Sequence, residues 1–313
     1  SIMLTIPIQV SGDIWNNRNE VEELLKTLEP NTSIMLDACS EGPSLRYLGV
    51  VDLFEQYNFD VSVTRWSNAV ETVPFQRHFC NSQSHFYPMA THYWTEEKYN
   101  NPTAEYKFGL FLGRSTTARN QILYDAVHRW PDKFLLSKMP NLYDKPRKLD
   151  SDDVVENWIN TCPVSSLQGY TIQDQYKIPE LSTGRMMSTL IKDHYPRFNI
   201  ELVCETYTLG DTFFPTEKTV RPIVGNKPFI VYGPKGFLSN LRSTERFRTF
   251  GDLWDESYDQ FEGRRRWDAI CYLIDQLSAL PESQWIEIIH RASVITNHNR
   301  SILKKIIDDR KKL

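Results

Sequence analysis

The sequence is poor in cysteine, contains no long apolar run and carries no large excess of either charge. Its five cysteines, Cys39, Cys80, Cys162, Cys204 and Cys271, are odd in number, widely spaced and never arranged as Cys-x-x-Cys. That argues against a disulfide framework or a cysteine zinc site and fits a reducing compartment. The histidines are scattered without ligand spacing. No stretch approaches the ~20 apolar residues that a membrane helix needs. Residues 1–13, SIMLTIPIQVSGD, lack a basic segment and a long apolar core, so they read as a strand and not as a signal peptide. A soluble, cytoplasmic chain with no membrane association is the expectation. Lys and Arg total 36 against 40 Asp and Glu, a net charge of −4. Wholesale nucleic-acid binding is not indicated, although a local basic face is compatible with that balance. Internal repeats and low-complexity tracts are absent as well.

What is present is an ordinary globular composition over 313 residues, 40% hydrophobic and 24% charged, long enough for two domains. Aromatic residues make up 12% and suit either a stacking, carbohydrate-contacting cleft or plain core packing. Strands are expected at 2–10, 33–38 and 59–64, with helices at 18–28 and 45–57. This βα alternation with short links predicts a small doubly wound domain with a mostly parallel sheet. Residues 68–94 resist assignment. The polar stretch 95–103, with Asn100-Asn101-Pro102, marks a domain boundary. A new strand is expected at 106–112, a tight loop Gly113-Arg114-Ser115-Thr116, a helix at 117–130 and a short strand at 134–137. Helices at 154–159, 188–195 and 236–243, a strand or extended link at 247–250 and two amphipathic helices at 263–279 and 282–311 follow.

Residues 199–234, NIELVCETYTLGDTFFPTEKTVRPIVGNKPFIVYGP, organise the chain: strand, loop, helix, strand. The first strand ends in Glu205. Pro215-Thr216-Glu217-Lys218 opens the helix, and Gly233-Pro234 stops the second strand. In an open α/β sheet, ligands bind beyond the carboxyl ends of the strands. Glu205, Thr216, Glu217, Lys218 and Gly233 would gather there. Glu217 suits the helix start without any ligand, but Lys218 opposes the helix dipole, a misfit that a bound phosphate would remove. Arg119 repeats the pattern: after a strand and the loop containing Arg114 and Ser115, it lies in the first turn of a helix. Arginine there could clamp a diphosphate bidentately, or it could pair with a nearby acid such as Asp125. Two such corners, one with Arg119 and one with Lys218, could hold one pyrophosphate between them.

These residues also carry a resemblance. Residues 107–128, KFGLFLGRSTTARNQILYDAVH, resemble the segment opening the donor domain of bacterial α-1,3-fucosyltransferases, with its strand, loop, Arg-Asn and Tyr-Asp-Ala. The block FNIELVCET through FFPTEKTVRPIVGNKPFIVYG is similar to that family's Glu-Asn-Ser and Thr-Glu-Lys region. SEGPS, FLGRS, TEK, GPKGFLSNLR and WDESYD are similar to segments of predicted glycosyltransferases of tailed phages. The two donor blocks cover about a quarter of the chain. Thr206-Tyr207 stands where the family has Asn-Ser, and Phe214-Pro215 where it has Tyr-Val.

The resemblance implies the GT-B architecture, an α/β fold of two Rossmann-like domains facing across a cleft. It would comprise an acceptor-side domain at 1–103, a donor domain at 104–262 and C-terminal helices at 263–313. It further implies an inverting, metal-independent transferase using a GDP- or UDP-linked sugar as donor substrate, with no other cofactor. Arg119 and Lys218 would contact the diphosphate, Glu217 the ribose or sugar, and Glu205 would line the same pocket. Arg114, Ser115, Thr216 and Gly233 complete the candidate donor-binding set. The general base would come from the first domain. Glu41 is the first candidate, with Asp37, Asp13 and Glu71 behind it, although Glu41 also suits a plain helix start. The acceptor is a glycan or, in a phage DNA-modifying version, a hydroxymethylated DNA base. A non-catalytic nucleotide-binding interaction module is a further alternative. Asp150-Ser151-Asp152 has the letters of a metal-binding Asp-x-Asp, but Asp153 and Glu156 beside it make a helix cap, and no metal site is expected. Arg264-Arg265-Arg266 and residues 304–312 read as solvated helix faces.

Overall fold

The structure, a computed structural model, describes residues 3–38, 41–78, 86–112, 116–138 and 194–312. It is a mixed α/β fold built on two four-stranded parallel sheets. The first half contains β1 (Leu4–Pro7), a small hairpin of β2 (Val10–Ser11) and β3 (Ile14–Trp15), α1 (Arg18–Leu25), β4 (Ser33–Asp37), α2 (Val50–Glu55), β5 (Asp60–Thr64) and β6 (Gln76–His78). Its sheet runs β1-β4-β5-β6. That order follows the chain without reversal, whereas the alternation in the sequence had suggested a doubly wound sheet. Ile34 and Leu36 alternate inward from β4, and Val21 and Leu25 give α1 its buried face.

Two local departures have clear causes. The expected strand 2–10 is cut short at Pro7, and the chain turns into the hairpin. The expected helix 45–57 shrinks to α2: residues 45–49 form turns instead, with the backbone N–H groups of Leu45 (2.7 Å) and Arg46 (3.3 Å) held by the carboxylate of Glu71. Gly49, left-handed at φ 79°, then starts the helix late.

The second half contains α3 (Phe86–Tyr93), β7 (Tyr106–Leu112), α4 (Thr117–Arg129), β8 (Phe134–Lys138), a 3₁₀ turn (Tyr195–Arg197), β9 (Phe198–Cys204), α5 (Glu217–Val224), β10 (Phe229–Tyr232), α6 (Phe237–Glu245), a 3₁₀ turn (Ser257–Gln260), α7 (Gly263–Ser278) and α8 (Glu282–Arg310). Every residue of β9 and β10 is buried. That is why β10 reads as an unbroken apolar run and β9 as one interrupted only by Asn199 and Glu201, the mark of a sheet covered on both faces. The expected helices at 154–159 and 188–195 lie wholly or mostly outside the described residues. Residues 247–250 form no strand; Phe250 instead anchors the segment by stacking on Trp254 at 4.9 Å.

The order of this sheet, β10-β9-β7-β8, reverses direction between β7 and β9. With right-handed crossovers, the helices after those two strands fall on opposite faces and leave a crevice at their carboxyl ends. The packing agrees: α4 lies against α7, while α5 lies against α3 and α8.

The described residues form two hydrophobic cores. One spans Ile6 to Phe75, the other Phe86 to Ile307. Phe86, Tyr87, Ala90, Tyr93 and Tyr99 belong to the second core although they precede residue 103. The C-terminal helices belong to it too. Among the described residues no helix is long and apolar enough to cross a membrane.

The halves meet through loops at the carboxyl ends of both sheets. From the first half come the hairpin, the loop after β4 and the loop after β5. From the second comes the segment after β9. Thr208 donates to Asp13 (3.3 Å), Tyr207 to Glu41, Thr212 to the carbonyl of Gly42, and Asn68 to the carbonyl of Asp211 (2.8 Å). Beside these contacts a cavity of about 490 Å³ opens between the halves.

Candidate functional site

The crevice at the carboxyl ends of β7 and β9 collects most of the candidate residues. Glu205 directly follows β9, its N–H donating to the carbonyl of Tyr232 at the end of β10 (3.0 Å). That bond brings Gly233 to the same edge. Thr216 caps α5: its hydroxyl accepts from the N–H of Lys218 (3.3 Å). The same hydroxyl donates to Glu205 Oε2 (2.6 Å), and the Thr216 N–H donates to Oε1 (3.1 Å). Thr219 Oγ1 (2.5 Å) and the Thr206 N–H (3.3 Å) complete four donors on one carboxylate. A carboxylate offers about four lone-pair positions, and Glu205 is 2% exposed. The expectation that it lines a ligand pocket therefore gives way to an internal role: it fastens the end of β9 to the start of α5.

Glu217 and Lys218 stand at the first turn of α5. Lys218 Nζ donates to Glu217 Oε1 (2.5 Å), Thr206 Oγ1 (3.2 Å) and Thr216 Oγ1 (3.4 Å). Burial works to raise the Glu217 carboxyl, but the charge and hydrogen bond of Lys218 outweigh it and bring it down to about 2. Glu217 is thus an ion at any physiological pH. One turn on, Arg221 is buried and grips Glu201 of β9 through Nε (2.8 Å) and Nη2. Tyr195 donates to the other oxygen of Glu201. This pair, which the sequence pattern did not single out, fixes the helix that presents Thr216, Glu217 and Lys218.

Arg119 arrives from the other crossover. Thr116 caps α4 by accepting from the Arg119 N–H (3.1 Å). The guanidinium Nη2 donates to the carbonyls of Cys204 (3.3 Å) and Glu205 (3.2 Å). Asp125, the suggested partner for Arg119, instead accepts from Gln121 (3.1 Å) and Trp267 (2.6 Å). Arg119 thus reaches Glu205 while Lys218 reaches Thr206, the next residue. Burial pushes the Cys204 thiol up to about 12, and the charges of Arg119 and Lys218 both pull it back down. At this edge Arg119 and Lys218 are balanced by Glu205 and Glu217.

A third βα corner, between β10 and α6, is closed. Asp259 accepts from the first N–H groups of α6, those of Leu238 (2.9 Å) and Ser239 (3.0 Å), and pairs with the buried Arg266 (3.1 Å). A protein carboxylate already fills the position an anion would take. Asp259 thus joins residues 254–259 to the second half as a cap. Its place in the sequence gave no hint of a partner about twenty residues upstream.

The four carboxylates proposed as a base separate by environment. Asp37 is taken by Arg65, whose Nε lies at 2.8 Å. Glu71 accepts from Ser44 (2.5 Å), Leu45 and Arg46; burial, aided by Asp211, raises its pKa. Glu41 and Asp13 alone among them touch the second half in these contacts, through Tyr207 and Thr208. Arg114, Ser115 and Asp150-Ser151-Asp152 lie outside the described residues. Among the described residues no group of three His, Cys, Asp or Glu side chains could hold a metal ion. No protein family matches the chain, and no curated protein or solved structure matches it either.

Proposed function

We propose that the chain is an inverting glycosyltransferase of GT-B type, moving a sugar from a nucleoside-diphosphate donor, GDP- or UDP-linked, to an acceptor hydroxyl. One observation carries the reading: cations from two separate crossovers, Arg119 and Lys218, converge on the consecutive residues Glu205 and Thr206 at the strand-order reversal. A leaving diphosphate needs its developing charge met by fixed donors. The α4 and α5 N-termini and these two side chains supply them without a metal ion. A diphosphate at Lys218 would replace its two longer contacts, to Thr206 and Thr216, and keep the Glu217 pair. Glu217, held as an anion, is suited to accept from ribose or sugar hydroxyls.

In the reaction the acceptor oxygen attacks the anomeric carbon as the bond to the diphosphate breaks. The acceptor proton passes to a carboxylate across the cleft, and the configuration inverts. Glu41 is the base in this scheme, since it faces the donor half through Tyr207. The cavity between the halves is lined by Arg46, Lys235 and Arg265 and by Glu71, Asp211 and Glu262. That balance favours an uncharged polyhydroxylated acceptor over a DNA duplex, which needs a basic strip and gives salt-sensitive binding.

Isothermal titration with UDP- and GDP-sugars tests the donor site. Arg119→Ala and Lys218→Ala should each weaken binding at least about tenfold; unchanged affinity in both refutes it. Glu41→Gln should keep donor binding and lose turnover. Turnover that survives this change removes Glu41 as the base, and a wild-type protein that binds donor with no turnover toward any acceptor favours a non-catalytic module.

A further inference from the structure

The segment 206–215 has two properties that belong together. Its ends are drawn to one point, because Glu205 before it accepts from both the N–H and the hydroxyl of Thr216 after it. Its middle carries the docking of the first half: Tyr207 to Glu41, Thr208 to Asp13, Asp211 to Asn68 and Thr212 to Gly42. Close packing accompanies the hydrogen bonds. At Gly210, which is left-handed at φ 74°, an added Cβ would lie 2.7 Å from Ser44 and Tyr47. At Gly42 it would lie 3.0 Å from Phe214 and Asn68. Glycine is therefore needed on both sides of the contact.

We infer that Glu205 is a positioning residue: by closing this loop it sets how the first sheet docks on the second, and it ties that docking to the site at Lys218. A loop whose ends are pinned presents its middle as a rigid body. With its ends released, the same side chains must be ordered at each contact, and the docking weakens. The tie to the site is the bond from Lys218 Nζ to Thr206, the first residue of the loop. An anion that takes over Lys218 acts on the segment that holds Glu41 and Asn68. The coupling does not require that anion to be a nucleotide sugar.

Hydrogen exchange read by mass spectrometry on the full chain tests this. Glu205→Gln puts a donor among four donors. It should speed exchange about tenfold in peptides covering 206–216 and equally in 41–47 and 65–71 of the first half. Peptides from β7 and β9 should keep wild-type protection, which shows that the sheet is intact. Faster exchange confined to 206–219, with 41–47 and 65–71 unchanged, overturns the inference. Should Glu205→Gln fail to fold, Thr219→Val removes one of the four donors with little change of shape, and the same two-part pattern is expected at smaller size. Gly210→Ala should open the first-half peptides while leaving 216–219 protected. If 41–47 is unaffected by Gly210→Ala, the loop does not carry the docking.

Discussion

Replacing Glu201 with Gln should cost more stability than any single change at the crevice itself. Glu201 and Arg221 are 0% and 1% exposed. One carboxylate oxygen accepts two guanidinium N–H groups, and the other accepts from Tyr195. Burial disfavours the Arg221 charge, but Glu201 more than compensates and raises its pKa. Among the described residues the guanidinium Nη1 already has no hydrogen-bond partner. With Gln at 201 the cation stays buried, facing an amide. Removing one member of such a pair costs about 3–5 kcal/mol, a large part of a typical total of about 5–15 kcal/mol. With a urea dependence of about 3 kcal/mol per M, the midpoint should fall by about 1–2 M. Trp254, Trp267 and Trp285, all buried in the second core, report the transition by fluorescence. The electrostatic account makes a second demand. The triple change Glu201→Leu, Arg221→Met and Tyr195→Phe removes the three hydrogen-bonded members together and should return to within about 1–2 kcal/mol of wild type. A single mutant that loses less than about 1 kcal/mol, or a triple mutant as weak as the single, refutes the reasoning.

Two further outcomes concern pH. The Glu217 carboxyl lies at about 2 instead of its ordinary 4.5, so between those values the unfolded chain holds a proton that the folded chain lacks. Its contribution is full above 4.5 and is lost as pH falls through about 2. The stability gap between wild type and Glu217→Gln, followed by urea melts, should therefore close over that window; a gap that stays constant from pH 6 to pH 2 refutes the pairing. Lys227 has the opposite sign. Burial lowers it from 10.5 to about 7, against the pull of Glu201, so folding is penalised below 7 and the penalty fades toward 10.5. Lys227→Met should be more stable than wild type at pH 6, and the advantage should shrink as pH approaches 10.5. An advantage that does not change with pH refutes this.

Much of the second half is legible in the sequence because its strands are covered on both faces. Residues 229–232 are a continuous apolar run and 106–112 one broken only by Lys107 and Gly109, and the strands occupy those bounds. Helix starts marked by a threonine cap were readable for the same local reason, at Thr116 and Thr216. What the sequence hid was long-range. The turns ahead of α2 are held by Glu71, more than twenty residues on. The saturation of Glu205 depends on a helix eleven residues later. The strand-order reversal that locates the crevice depends on which neighbours β7 takes. A carboxylate at a strand end looks the same in the sequence whether four donors surround it or none.

The membership of α3 in the second core has a practical consequence. The polar stretch 95–103 invites a cut there to obtain the second sheet alone. Such a truncation would discard Phe86, Tyr87, Ala90 and Tyr93 and strip the outer side of α5 and α8, against which α3 lies. It would also sever Thr95, whose carbonyl is bound by the same guanidinium of Arg300 that holds the carbonyl of Val224 at the end of α5. An autonomous fragment has to begin ahead of Phe86, or the helix bearing Lys218 loses its backing.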